Sequence, residues 1–339
     1  MKYPKVIVST AALTAALLAG TAGSAIAGTA LPDATHAGEQ TAERTISVGG
    51  NPVGIAQDAP RRIAYVAASA DAAVNVIDTE AGTVTRTIAT TGSPQEVRLN
   101  ASGDLLYVAS EVNDGFDTAV DVIDTEKGTV INTATGLIAD AALATNPSTG
   151  TVYAASRSTL QIFDAALKTE KTISLPITGV NAIAVSPDGS KLFLSGRGAV
   201  TAVDATSGNV LRTTQYEEEG NMGKAARFGI VVDASGPVFV LTAYGHIVSI
   251  DGETGALLDS GHLFGNMEFY GLAIDDYVLY AVQNDGTKGV VQVLSKQFFS
   301  SKESISVGHG PRAICVDQTR GEVLVTNYDD ATVSQFSAV

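Results

Sequence analysis

The chain has 339 residues and carries 36 acidic against 21 basic side chains, which gives a formal net charge of −15 at pH 7. An acidic protein repels a phosphate backbone, so this charge argues against electrostatically driven binding of nucleic acid, although it leaves room for a local basic patch. The one cysteine, Cys315 in the apolar stretch RAICVD, excludes an intrachain disulfide, and we interpret it as a small core residue. Stability is therefore expected to come from a large, regular core.

The N-terminus has the features of a secretory signal peptide. Lys2 and Lys5 precede an apolar stretch at residues 6–20, and residues 25–27 (AIA) match the small-residue pattern before a signal-peptidase site. The apolar stretch is shorter than the ~20 residues that a membrane-spanning helix needs, and no other segment is long enough. We therefore predict no membrane span.

Three consecutive regions follow from these features. We predict that residues 1–27 are a signal peptide cleaved near Ala27, and that the mature protein is secreted or periplasmic. Residues 28–42 (GTALPDATHAGEQTA) are small, polar and without period, which predicts a flexible leader. Residues 43–339 are predicted to form a single domain. Because residues 1–27 hold two lysines and no acidic residue, their removal leaves a net charge of −17.

A short strand pattern recurs seven times along this domain, in steps of 40 to 46 residues. A fixed period of this length indicates a repeat architecture. The seven instances are YVAAS from Tyr65, YVASE from Tyr107, YAASR from Tyr153, FLSGR from Phe193, FVLTA from Phe239, YAVQN from Tyr280 and LVTNY from Leu324.

Each repeat predicts four β-strands in an antiparallel meander. In the first repeat, residues 52–58, 62–69, 73–79 and 83–88 are short runs rich in β-branched residues, and turn residues separate them. No stretch of 11 or more residues in the mature chain shows a convincing helical period, which disfavours the parallel α/β classes. Four-stranded units of this length are typical of propeller blades. We therefore predict an all-β, seven-bladed β-propeller with four antiparallel strands per blade.

The recurrent phrase ID-T-E-x-G-T-V predicts the hairpin between the third and the outermost strand of a blade. Its Asp ends one strand and can accept hydrogen bonds from the turn backbone, and its Gly supplies a positive φ. Because these Asp residues lie in separate units on one rim, we interpret them as turn caps rather than metal ligands or acid–base groups. They are Asp78, Asp124, Asp164, Asp204 and Asp251.

The two ends of the domain predict how the ring closes. The last unit offers three strands and then the chain stops, whereas residues 43–49 (ERTISVG) resemble the outermost strands at 85–92 and 303–310. We predict that residues 43–48 pair with the strand near Thr332 and complete the seventh blade. Such closure removes exposed sheet edges.

The repeats resemble the YVTN-type β-propeller repeat family, which includes the YncE-like exported proteins. The resemblance spans about residues 43–339, and it implies a propeller that acts as a binding module in a surface-layer or periplasmic setting. The matching segments are the Tyr-Val pairs at Tyr65 and Tyr107, VTN at 325–327, SPDGSKLFLSG at 186–196 and the VIDTxxGTV turns.

The candidate site follows from propeller geometry. The first strands line the central channel, and the loops before them open on one face, here called the top face. The last three units bring arginine and aromatic residues to equivalent positions, and the longer loop 215–228 falls on the same rim. Guanidinium groups beside aromatic faces suit a carboxylate, a phosphate or a planar ligand. We predict a ligand-binding site made of Arg227, Phe228, Phe269, Tyr270 and Arg312 with Gln95 and Asn181.

A different interpretation of the same residues is open. The aromatic side chains would then plug the channel, and the arginines would pair with Glu96 or Glu268 in solvent.

The loop at 113–117 superficially resembles a calcium loop through Asn113, Asp114 and Asp117, but the full pattern is missing, and we predict no metal site.

The preferred function is a secreted, monomeric binding or scaffold module that recognises a protein, peptide, glycan or small anionic ligand. The first alternative is an exported hydrolase or lyase at the channel mouth, which would use a histidine such as His246 or His309 with a Glu or Arg. The second is a single-stranded DNA-binding propeller, which the YncE-like resemblance implies and the charge disfavours. The usual catalytic motifs are absent from the sequence, and we assign no catalytic residue and no cofactor.

Overall fold

A computed structural model describes residues 40–138, 140–216, 229–242, 245–263, 268–284, 286 and 288–339. Within these ranges the chain consists of strands, turns and two short 3₁₀ segments, Ser69–Asp71 and Asn113–Gly115. No helix in these ranges is long and apolar enough to cross a bilayer.

The strands form seven antiparallel meander sheets, which we call blades one to seven, and this confirms the predicted seven-bladed propeller. The first strand of each blade lies innermost. Blade one consists of β3 (Pro52–Asp58), β4 (Ile63–Ala68), β5 (Ala73–Asp78) and β6 (Thr83–Ala89). Blade two consists of β7 (Ser93–Leu99), β8 (Leu105–Val112), β9 (Asp117–Asp124) and β10 (Thr129–Ile138). Blade three consists of β11 (Ala142–Thr145), β12 (Val152–Ser156), β13 (Thr159–Phe163) and β14 (Thr169–Ser174).

The remaining blades repeat this order, and two of them also take a strand from the N-terminal side of the domain. In blades four to seven the strands are β15 (Ala182–Val185), β16 (Lys191–Gly196), β17 (Ala199–Asp204) and β18 (Val210–Gln215); β19 (Gly229–Val232), β20 (Pro237–Leu241), β21 (His246–Asp251) and β22 (Leu257–His262); β23 (Glu268–Ile274), β24 (Val278–Asn284), β25 (Gly289–Ser295), β26 (Ser301–Val307) and β1 (Gln40–Thr41); and β27 (Pro311–Asp317), β28 (Glu322–Asn327), β29 (Thr332–Ser337) and β2 (Arg44–Ser47).

The ring closes as predicted. Strand β2 pairs antiparallel with β29, with Arg44 opposite Gln335 and Ser47 opposite Thr332. Ile46 of β2 is buried in a cluster of aliphatic side chains from blades seven and one. The first and last parts of the domain are therefore joined both by backbone hydrogen bonds and by a shared core.

Blade six carries a strand that the sequence did not predict. Gln40 and Thr41, in the segment expected to be a leader, pair in parallel with Ile305 and Ser306 of the outermost strand β26. The backbone N–H of Ala42 also donates a hydrogen bond to the carbonyl of Ser306. The strand Gln40–Thr41 therefore lies just before residue 43, the predicted start of the domain.

The core lies between neighbouring blades, and the repeated tyrosine of the second strand is part of it. Tyr107 and Tyr153 are fully buried, and each hydroxyl donates a hydrogen bond to a turn carbonyl of the next blade, at 2.9 Å to Ala165 and 3.0 Å to Ala205. Burial raises the pKa of Tyr107 to about 12, so this hydroxyl remains a donor at neutral pH. The recurrent Tyr thus combines apolar packing with a polar link between blades.

The hairpin aspartates cap their turns, as predicted. One carboxylate oxygen of Asp78 accepts hydrogen bonds from the backbone N–H groups of Glu80 and Ala81. The same arrangement holds for Asp124, Asp164, Asp204 and Asp251, whose carboxylates accept from backbone N–H groups two to four residues further on.

The same turns are also held from outside by the preceding blade, which the sequence did not reveal. Arg44 donates from its guanidinium to the carbonyls of Thr79 and Glu80, the latter at 2.9 Å. Gly82 has a φ of +70°, and a Cβ there would lie 2.7 Å from Nη1 of Arg44. Equivalent links run from Arg86 to Thr125 and Glu126, from Asn132 to Ala166, from Lys171 to Thr206 and Ser207, and from Arg212 to Gly252.

The turn carboxylates predict a loss of stability in acid. Hydrogen bonds from the Ser186 hydroxyl and from Ser190 lower the pKa of Asp188 to about 2. Because this pKa lies below the ordinary aspartate pKa of about 3.8, the carboxylate stabilises the fold above about pH 4, and the contribution is lost as the pH falls towards 2. We expect Asp188→Asn to unfold at lower urea concentration than the parent at pH 7, and the difference to disappear near pH 2.

Circular dichroism during urea unfolding at several pH values measures this difference. The asparagine variant keeps an acceptor oxygen but cannot titrate, so it isolates one carboxylate from the general effect of acid on a protein with 36 acidic residues. A difference that stays constant between pH 5 and about pH 2 would contradict the assignment.

Candidate functional site

The innermost strands surround a cavity of about 480 Å³ that opens on the top face. This volume falls in the range of small-molecule sites. The described lining combines aliphatic side chains with a small set of polar, charged and aromatic ones. The polar, charged and aromatic members are Gln95, Glu96, Arg98, Glu111, Asn181, Tyr270, Arg312 and Tyr328.

Several channel residues stand on β-bulges at corresponding points of the innermost strands. The register slips by one residue between Pro94 and Glu96 of β7, and between Phe269 and Gly271 of β23, so that Gln95 and Tyr270 are the extra residues. Related irregularities occur in β3 and β27, where the second also contains Arg312. A bulge changes the direction in which a side chain points, so four blades use the same local distortion to present residues to the channel.

Arg312 lies against two aromatic rings. The central carbon of its guanidinium is 4.4 Å from the ring centroid of Tyr270 and 5.0 Å from that of Tyr328. Tyr270 belongs to blade six, whereas Tyr328 follows β28 in the top loop of blade seven. Cation–π contacts at these distances hold the charged group in place. Among the residues described, no carboxylate forms an ion pair with Arg312.

Tyr270 is itself fixed by a neighbour. Its hydroxyl donates a hydrogen bond to a carboxylate oxygen of Glu268. Burial and this hydrogen bond raise the pKa of Tyr270, although the Arg312 charge opposes the shift. The ring therefore remains neutral at pH 7, and its face stays available to the guanidinium.

The acidic residues expected to neutralise the arginines have other partners. Glu96 forms an ion pair with Arg98, and its second oxygen accepts a hydrogen bond of 3.1 Å from the backbone N–H of Leu143 in blade three. Glu268 is bonded to Tyr270. In the described part of the channel, the alternative in which Arg312 pairs with Glu96 or Glu268 is therefore not observed.

Two amides complete the predicted set inside the cavity. Asn181 accepts a hydrogen bond of 3.1 Å from the hydroxyl of Ser195, while Gln95 donates one of 3.4 Å to the hydroxyl of Ser93. The hydroxyls orient both amides, and each amide retains hydrogen-bonding capacity towards the cavity. The structure thus brings together Gln95, Asn181, Tyr270 and Arg312.

Other predicted site residues are placed differently. Phe269 is 1% exposed and packs between blades five and six with Phe239 and Leu263, so it does not contact the cavity. The bulge directs its extra residue, Tyr270, to the channel, while Phe269 stays on the face of the strand that packs against blade five. Arg227 and Phe228 lie outside the described residues.

Sequence reasoning missed Tyr328, Arg98 and Glu111. Tyr328 lies in the polar loop NYDDA at residues 327–331, whereas the predicted site was built around positions on the first strands. A signal was available, since NYDDA follows the second strand of blade seven and should open on the same face as the residue before β27. The predicted site also lacks Arg98 of β7 and Glu111 of β8, both of which line the cavity.

Two further sequence-based interpretations concern Cys315 and the loop at 113–117. Burial raises the pKa of the Cys315 thiol to about 12, so the thiol stays protonated and serves for packing, in agreement with the sequence interpretation. The side-chain amide of Asn113 donates to the carboxylate of Asp117 at 2.7 Å. In the parts of the chain that the structure describes, no group of three or more His, Cys, Asp or Glu side chains is placed to hold a metal ion.

The fold and the cavity define this chain as a seven-bladed β-propeller protein with a polar and aromatic channel mouth. No protein-family model matches the chain, and no curated protein matches it in sequence. Among solved structures, the chain is similar to one titled hydrazine synthase, from Kuenenia stuttgartiensis, with a TM-score of 0.72 and 18% identity, over 87% of this chain and 97% of that one. A likeness at this identity supports the propeller fold alone.

Proposed function

We propose that this protein is an exported binding module that holds a carboxylate-bearing ligand in the mouth of its central channel. The observation that carries this proposal is the guanidinium of Arg312, held over Tyr270 and Tyr328 at the edge of a cavity of about 480 Å³. Export rests on the predicted signal peptide at residues 1–27.

The stacking of Arg312 suits it to bind an anion. A guanidinium that contacts aromatic rings through its face keeps its N–H donors at the edge, and these donors match the two oxygens of a carboxylate. Since the rings already restrict the side chain, less conformational entropy is lost when a ligand binds. An arginine restrained in this way and without an ion-pair partner among the described residues is a preorganised anion site.

The rest of the lining defines the body of the ligand. Val53, Ile55 and Ile230 offer apolar contact, while Gln95 and Asn181 offer amide donors and acceptors. A ligand with one carboxylate, a hydrogen-bonding backbone and a small apolar group fits this lining. The C-terminal end of a peptide has all three features, so we propose peptide chain ends and small amphiphilic acids as the ligand class.

Net charge limits the number of negative charges that the ligand can carry. The predicted mature chain has a charge of −17, which repels polyanions at long range. At physiological salt this repulsion is screened beyond about 8 Å, so one carboxylate can still reach Arg312. These terms favour a single acid group over a nucleic acid strand.

Calorimetric titration with defined peptides tests the proposal. The probes are acetylated tripeptides that end in Ala, Leu or Phe, each prepared with a free carboxylate and with a C-terminal amide. We expect the free acid to bind at least about tenfold more tightly than the amide, because a hydrogen bond to a charged group contributes about 1.5–3 kcal/mol. Arg312→Met should reduce affinity for the acid to that for the amide.

The matched control is Arg197→Met, which removes an exposed arginine from a loop between second and third strands on the same face. Its affinity should stay within about twofold of the parent. Equal binding of acid and amide, or an unchanged affinity in Arg312→Met, would refute the proposal.

Arg227 and Phe228 remain part of the proposed site because they directly precede Gly229, which lines the cavity.

A further inference from the structure

Two of the four histidines of the chain face each other at the top end of blade five. His246 begins β21 and His262 ends β22, and the two are direct cross-strand partners in the antiparallel ladder. Their ring centroids are 6.4 Å apart, with 30° between the ring planes. Neither residue is part of the lining of the channel cavity.

The backbone places this pair where side chains approach most closely. The N–H of Leu263 donates to the carbonyl of Gly245 at 2.7 Å, so the hydrogen-bonded rung of the ladder lies one residue beyond the histidines. Rungs alternate in an antiparallel pair, and the next rung, His246 with His262, is therefore of the non-hydrogen-bonded kind. In such a rung the Cβ atoms of the partners lie closest, about 4.5–5.5 Å apart.

The imidazole of His262 already has the hydrogen bond that commonly orients a metal-ligating histidine. Nδ1 of His262 lies 3.0 Å from the carbonyl oxygen of Leu263, and only a protonated Nδ1 can form that hydrogen bond. In the neutral ring this assigns the proton to Nδ1 and leaves the lone pair on Nε2. Metal-ligating histidines commonly have this second hydrogen bond to a backbone carbonyl, which fixes the tautomer and the ring orientation.

We infer that His246 and His262 form a two-imidazole site for a divalent transition metal. At the ordinary Zn–N distance of about 2.0–2.1 Å, two imidazoles on one tetrahedral ion have ring centroids roughly 5 Å apart. The observed separation is 6.4 Å, so a rotation of the exposed His262 side chain brings the pair into binding range. Imidazole ligands select Zn²⁺, Ni²⁺ and Cu²⁺ over Mg²⁺ and Ca²⁺, which require oxygen ligands. Water completes the coordination, because no third His, Cys, Asp or Glu joins the pair among the residues described.

Metal in this position would join the ends of two strands. Strand β22 is the outermost strand of blade five, and His262 is its last residue. A shared ion ties it to β21 and stabilises the folded state by mass action, in proportion to occupancy. The melting temperature should therefore rise when Zn²⁺ or Ni²⁺ is added, and it should not change with Mg²⁺.

Titration calorimetry of the full, untagged chain with ZnCl₂ and NiCl₂ tests the site, with MgCl₂ and CaCl₂ as reference ions. We expect one ion per chain for the transition metals. His262→Gln should weaken binding at least about tenfold, because one of two protein ligands is lost. Since His262 is exposed, this variant should keep the melting temperature of the metal-free parent.

Two other histidines supply matched controls. His309 lies on the rim of blade seven, 3.0 Å from Asp330, and His36 lies in the predicted leader. His309→Gln and His36→Gln should each bind within about twofold of the parent. Loss of binding in either control with binding retained in His262→Gln, or failure of the parent to bind Zn²⁺ or Ni²⁺ at all, would overturn the inference.

The spectrum of bound Cu²⁺ provides a second readout. Electron paramagnetic resonance at one equivalent of Cu²⁺ should show coupling to two nitrogens, and His246→Gln or His262→Gln should reduce it to one. If His246→Gln fails to fold, the His262→Gln result decides alone. A spectrum with only oxygen ligands in the parent would also overturn the inference.

Discussion

Ile46→Asp is expected to destabilise the propeller by more than about 3 kcal/mol, because it places a charge in the core that closes the ring. Ile46 is 1% exposed, and its neighbours Ile55 and Val66 belong to blade one while Val333 belongs to blade seven. Among the strands that the structure describes, β2 is hydrogen-bonded to β29 alone. A carboxylate at this position would therefore weaken the packing that holds the two ends of the domain together.

Urea unfolding followed by far-UV circular dichroism measures the effect, since the chain contains no tryptophan to report by fluorescence. The matched control is Thr45→Asp, which adds the same charge one residue earlier on the exposed side of the strand. Thr45→Asp should change the free energy of unfolding by no more than about 0.5 kcal/mol. If both variants unfold at the same urea concentration, β2 does not close the ring through Ile46.

Gly229→Ala is expected to cost about 1–3 kcal/mol and to distort the wall of the channel. A Cβ at this position would overlap the Cβ of Leu272 in blade six and lie 2.6 Å from the Leu272 backbone nitrogen. Backbone cannot yield as easily as the end of a flexible side chain, so the two innermost strands must separate. Both residues line the cavity, and the change therefore alters the site as well as stability.

Gly271→Ala is the control, because it lies on an innermost strand of the same cavity and its new Cβ would meet no atom closer than 3.2 Å. Its unfolding midpoint should remain near that of the parent, with a cost below about 1 kcal/mol. Peptide binding should weaken more in Gly229→Ala than in Gly271→Ala. Equal stability of the two variants would show that β19 and β23 do not pack as closely as the structure indicates.

The sequence alone predicted the propeller because the information for a blade is local. Alternating β-branched residues specify strands, and the Asp and Gly of each hairpin specify a turn through contacts within four residues. The strands observed in blade one, such as Pro52–Asp58 and Ala73–Asp78, agree with the predicted ones to within one residue. Seven repeats of the same local code were enough to give the blade count and the partner of the closing strand.

The candidate site could be predicted only in part, because it depends on which way single residues point. Tyr270 and Phe269 are adjacent aromatic residues, and no sequence pattern indicates that a bulge sends the first to the channel and the second to the core. The stacking of Arg312 on Tyr328 joins a first strand to a loop, and strand periodicity does not address loops.

Sequence by itself determined the repeating unit, its turns and the closure of the ring, since all of these follow from patterns that recur along the chain. Tertiary structure decided which blade touches which turn, as with Arg44 and the hairpin at Thr79, and it brought His246 opposite His262. It also added the strand Gln40–Thr41 to blade six. These contacts join residues from different blades or strands, and their geometry is set by register, bulges and packing that no single segment encodes.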